Sequence, residues 1–129
     1  MDHKRFYREL GTLLYAVTAC DDVIHPNELT KFRNLVKEEI APIEGSHDQF
    51  GTDNSYYAEF EFEALHDRGV SSTEAWQSFK DYYKECGNTI DAPLRALIVN
   101  ASEQIAHAVR GVNASELALL KDIKSLIGN

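Results

Sequence analysis

Between Leu13 and Ile40 the chain reads LLYAVTACDDVIHPNELTKFRNLVKEEI. Apolar residues at helical spacing run into two acids, a short turn follows, and a proline opens a second helical run. From Ile105 to Ile127, IAHAVRGVNASELALLKDIKSLI repeats that order in shorter form. A chain that spells helix, tight turn, cap, glutamate, helix at both ends must pack helix on helix. Each amphipathic stripe is stable only when buried against another element.

The stretches between follow the same spacing. The first helix is predicted from Lys4 to Cys20, with Phe6, Leu10, Leu13, Leu14 and Val17 three and four residues apart. Pro26 suits the first position of the second helix, where its missing N–H has no intrahelical partner to lose. Leu29, Phe32, Val36 and Ile40 give that helix its inward stripe. Residues 41–53, with Pro42, Gly45 and Gly51, form the chief irregular stretch. A third helix is predicted from Asn54 to His66. Its EFEFE core, Glu59 to Glu63, alternates with the period of a strand, but a single strand would have no partner here. Gly69 ends it. Ser71 or Ser72 caps a fourth helix, lined by Trp76, Phe79, Tyr82, Tyr83 and Cys86 and stopped at Gly87. A fifth runs from about Asp91 to Val109 on Leu94, Leu97, Ile98, Ala101, Ile105 and Ala108. The last follows Asn113, with Leu117, Leu120, Ile123 and Ile127 turned inward. The expectation is one all-α domain over residues 1–129, a bundle of about six helices with two pseudo-repeated hairpins.

Size and charge narrow the functional classes. A chain of 129 residues with 43% hydrophobic residues can bury a core without covalent staples. Its 21 acids against 13 Lys and Arg give a net charge of −8, which repels phosphate backbones and disfavours nucleic acid. The same charge suits a cationic partner, either a metal ion or a basic protein surface. Cys20 and Cys86 lie far apart in no metal-ligand spacing and read as free thiols of a reducing compartment. Val17-Thr18-Ala19-Cys20 matches the pattern before a lipoprotein cysteine, with Lys4, Arg5 and Arg8 as a charged head. Glu9 interrupts that apolar approach, so a cytoplasmic protein with no membrane span is expected.

The first hairpin carries a finer pattern, Cys20-Asp21-Asp22-Val23-Ile24-His25-Pro26-Asn27-Glu28. It resembles the Ala-Asp-Gly-x-Ile-x-x-x-Glu motif of the tellurite-resistance TerB-like family, which recurs there in degenerate form near the C-terminus. The second copy here is Val112-Asn113-Ala114-Ser115-Glu116. The resemblance implies an all-helical duplicated fold, a stress-response role without an enzymatic activity, and a divalent-metal site on the motif acids. Carried over position by position, those acids are Asp21 and Glu28 in the first copy and Glu116 in the second. Asp22 stands where the family has glycine and adds a fourth candidate ligand. Copy two has Val109 and Arg110 opposite Asp21 and Asp22, so a symmetric pair of acidic sites is not expected.

Two roles are open to these acids. Asp21, Asp22, Glu28 and Glu116 can together offer the oxygens that Ca²⁺ or Mg²⁺ require, and His25 would shift the preference toward Zn²⁺ or Mn²⁺. Equally, Glu28 and Glu116 can complement the positive ends of their own helices while Asp21 and Asp22 occupy the turn. The loop is too short for an EF-hand. A separate acidic run, Glu59, Glu61 and Glu63 with Asp67 beyond, is either a solvated helix face or a docking face for a basic partner. His66 and His47, each beside an aspartate, have no nucleophile at a defined spacing and read as surface residues. No phosphate loop, HExxH or triad pattern is present, so a non-enzymatic domain is expected.

Overall fold

The computed structural model describes residues 2–20, 26–36, 55–110 and 114–128, and the side chains of all of these except 26–28, 55 and 108–110. These residues form α1 (His3–Thr18), α2 (Pro26–Leu35), α3 (Ser55–Arg68), α4 (Ser72–Cys86), α5 (Ala92–Arg110) and α6 (Ala114–Ile127). One 3₁₀ turn, Gly87–Thr89, lies between α4 and α5. Among the described residues there is no strand, so the fold is all-α. Ile24, Ile40, the 41–53 stretch, Ala108 and Asn113 have no described side chain, and expectations for them lie outside the described residues.

Local chemistry sets the helix ends. The Asp2 carboxylate accepts from the Arg5 N–H at 3.2 Å and opens α1. Ser71 accepts from the Glu74 N–H at 3.1 Å and opens α4, while Asp91 accepts from the Leu94 N–H at 3.1 Å and opens α5. At the end of α3, Gly69 takes a φ of +64°, the left-handed region glycine enters without steric cost. Its N–H bonds the His66 carbonyl and the Val70 N–H bonds the Leu65 carbonyl, both at 3.1 Å. That pairing is a Schellman motif. Gly69, Val70 and Ser71 thus stop α3 and start α4 within three residues.

α1 occupies the centre of the bundle. It packs against α3, α4, α5 and α6. An amphipathic stripe would leave one face of it in water, yet every residue from Leu10 to Ala19 is buried. Its hydroxyls are satisfied in place: Thr12 donates to the Arg8 carbonyl and Thr18 to the Leu14 carbonyl, at 3.1 and 2.8 Å. Two bonds tie the α3–α4 corner to it. Tyr15 donates its hydroxyl hydrogen to the Val70 carbonyl, and Ser72 donates to the Ala16 carbonyl at 2.7 Å. Across the bundle, Phe62 stacks on Phe32 of α2 at 4.0 Å between centroids and meets Tyr15 edge-on at 5.6 Å.

The hairpins are not equivalent in packing. α5 and α6 lie against each other, whereas the main backbone neighbour of α2 is α5. The expected stripe of α6 is also corrected at one position. Leu120, Ile123 and Ile127 are buried as predicted, but Leu117 is 61% exposed and Glu116 faces inward in its place. The inward row is therefore Glu116, Leu120, Ile123, Ile127, rotated by one residue at its start. The helical spacing fits either row. Only the seat of α6 on α5 chooses between them.

Candidate functional site

Of the four acids implied as metal ligands, Asp21 and Asp22 lie outside the described residues, as does the side chain of Glu28. Glu116 is described. It stands in the first turn of α6, and its residue surface is only 4% exposed. A carboxylate held that far from water needs positive potential close by. The start of a helix supplies part of it, because the unpaired N–H groups and the helix dipole point there. Among the described residues, no group of three or more His, Cys, Asp or Glu side chains is arranged to hold a metal ion.

The acidic run on α3 meets cations of the same chain. Arg33 of α2 bridges Glu59 at 3.5 Å and also pairs with Glu63, while Arg68 reaches Glu61 at 3.9 Å. Glu59 and Glu63 stand one turn apart, so a single guanidinium can span both. The same helix turns Tyr56 and Phe60 outward, 54% and 52% exposed. The period-two pattern of Glu59 to Glu63 therefore resolves as a helix with Phe62 in the core and Phe60 in solvent.

A cleft of about 490 Å³ opens between α1 and α4, lined by Arg5 and Glu9 on one side and Glu74, Asp81, Tyr82 and Glu85 on the other. Arg5 is the cation there, and it is committed. It donates to Glu85 at 3.2 Å and to the Cys86 sulfur at 3.6 Å, and it lies over the Tyr82 ring at 5.1 Å. Burial is the main reason the Tyr82 hydroxyl is pushed up to about 12. Glu9 has one carboxyl oxygen, Oε2, buried without a hydrogen-bond partner. Burial pushes its carboxyl up to about 7, with Glu61 adding to the rise and Arg5 opposing it. Sequence reading marked Glu9 only as a charge interrupting an apolar run. Nothing in the spacing shows that α4 lines a cleft with it and that Glu61 of α3 stands near enough to act on its charge.

Two other hollows flank the bundle. One, about 350 Å³, lies at the α3–α4 corner beside Tyr15, His66, Ser71 and Ser72, and it brings His66 into a half-buried position. The other, about 510 Å³, runs between α5 and α6 under Leu117, rimmed by His107, Lys121 and Lys124, with Lys124 bonded to Glu103 at 2.6 Å. Among the described residues no helix is long and apolar enough to cross a membrane. No protein-family model, no curated protein and no solved structure matches this chain.

Proposed function

We propose that this protein is a non-enzymatic, TerB-like helical domain that binds a divalent cation through the acids of its two hairpins, in a stress-related role. The observation that carries the reading is Glu116, a carboxylate kept almost wholly out of water at the start of the second hairpin's last helix. A cation shared with Asp21, Asp22 and Glu28 would add to the positive potential that the helix end supplies to this buried carboxylate. The motif resemblance implies Asp21 and Glu28, and Asp22, which replaces the motif's glycine, stands next to them. Calorimetric titration with Ca²⁺, Mg²⁺, Mn²⁺ and Zn²⁺ tests it. Binding heat is expected for at least one ion, and Asp21→Asn or Glu116→Gln is expected to weaken it at least tenfold, since each removes a charged ligand. Absence of heat, or heat indifferent to both substitutions, sinks the metal reading.

A second reading has its own support. Tyr56 and Phe60 stand exposed beside Glu59 and Glu63 on α3, the combination of apolar anchors and charge that a basic protein partner would meet. In that case charge reversal at Glu59 and Glu63 removes binding to the partner while Asp21→Asn leaves it intact.

A further inference from the structure

Glu9 is the acid that the hairpin reading leaves unused, and its surroundings are unusual for a carboxylate. Its Oε2 is buried with no hydrogen-bond partner among the described residues. From α3 it faces Glu61, itself paired with Arg68. From α4 the same cleft carries Glu74, Asp81, Glu85 and the Tyr82 hydroxyl. Among the described residues, none of α5 or α6 lines that cleft. The cations of α1 are bonded elsewhere, although Arg5 stays close enough to favour an ionised Glu9. Arg5 is bonded to Glu85 and Cys86, while Lys4 and Arg8 lie over the Tyr57 ring at 5.3 and 5.7 Å. An ionised Glu9 would hold a buried negative oxygen without a hydrogen-bond donor, a burial cost that the nearby Arg5 charge offsets only in part and that Glu61 adds to. A neutral carboxyl avoids the charge, and opening the cleft hydrates it.

We propose that Glu9 is a proton-operated catch in the α1–α3–α4 junction: protonated, it lets α4 close on α1, and ionised, it loosens the cleft between them. The direction follows from where the proton is held. In the closed state the carboxyl keeps its proton up to about 7, against an ordinary value of 4.5 once hydrated. Below about 4.5 both states are protonated and Glu9 favours neither. Between the two values the closed state holds more proton, so closure weakens as pH rises, and above about 7 the weakening is complete.

Amide hydrogen exchange across α4 at pH 6 and pH 8, corrected for the intrinsic rate, tests the catch on the whole chain. Protection of residues 72–86 is expected to fall by up to roughly tenfold more than the intrinsic change, and Glu9→Gln is expected to abolish that excess. Carbon-detected titration of the Glu9 carboxyl in the unmodified protein is the second measurement, and it does not depend on Glu9→Gln folding. Its midpoint is expected near neutrality and should move down in Glu61→Gln, which removes the like charge. A Glu9 midpoint in the ordinary carboxylate range overturns the proposal. So does a midpoint near neutrality with α4 protection that ignores pH.

Discussion

At the scale of single residues, Gly11 shows how closely α1 and α3 approach. A Cβ built there would stand 2.3 Å from the Ala58 carbonyl oxygen and 2.9 Å from the Ala58 Cα, both backbone atoms that cannot swing aside. Alanine normally favours a helix over glycine by about 1 kcal/mol. Overpacking at a backbone–backbone contact costs about 1–3 kcal/mol or more, so the clash outweighs the propensity. Gly11→Ala is therefore expected to lower the thermal midpoint by roughly 5 °C or more, read by circular dichroism. A raised midpoint would mean that the two helices stand farther apart. Gly11 is unremarkable in the sequence, since the crossing that requires it is made by residues 47 positions away. Glu116 and Leu117 make a similar case. They are neighbours, and only the orientation of α6 on α5 decides which one is buried.

Helix ends belong to the scale of the element, and here sequence and structure agree closely. Gly69 was legible as a stop and Ser71 or Ser72 as a cap, of which the structure uses Ser71, because both signals act on their own backbone within a few residues. At Gly69 a Cβ meets nothing within 4 Å, so the cost of a substitution there is conformational rather than steric. Gly69→Ala is expected to destabilise by about 1–2 kcal/mol in urea unfolding, and Gly69→Asn by less, because asparagine tolerates the left-handed region. Equal losses for the two would show that side-chain crowding, and not φ, is decisive. The EFEFE segment was legible for a different reason. Its alternation suits a strand, yet a strand needs a partner, and the helical rhythm around it provides none.

For the molecule as a whole, the centre of gravity is α1. Phe62 connects it to α2 and α3 through Tyr15 and Phe32, so its loss should be felt by three helices together. Phe62→Ala is expected to cost about 3–5 kcal/mol, enough to consume much of a small domain's margin. Leu117→Ala, at an exposed site of similar hydrophobicity, is expected to stay within about 0.5 kcal/mol. Denaturant melts of the two proteins measure the contrast, and comparable losses would move Leu117 into the core. The candidate site divides in the same way. Asp21, Glu28 and Glu116 were implied by the motif resemblance, with Asp22 added at its glycine position, and of the four only Glu116 has a described side chain. The acids of α3 were visible as a run, but their pairing with Arg33 was not, since that cation arrives from a different helix.

What the sequence determined by itself is everything that repeats at 3.6 residues or acts within one turn: helical class, the positions of the described helices, their caps and stops, and most of the core. These depend on local backbone chemistry and on amphipathic spacing, which one strand of text contains in full. Tertiary packing decided the rest. It buried α1 on nearly every side, rotated the start of α6 so that a glutamate replaced a leucine, and set Glu9 in a cleft against α4 with Glu61 of α3 nearby. Each of these depends on which surfaces meet, and burial, unlike propensity, is a property of two elements at once.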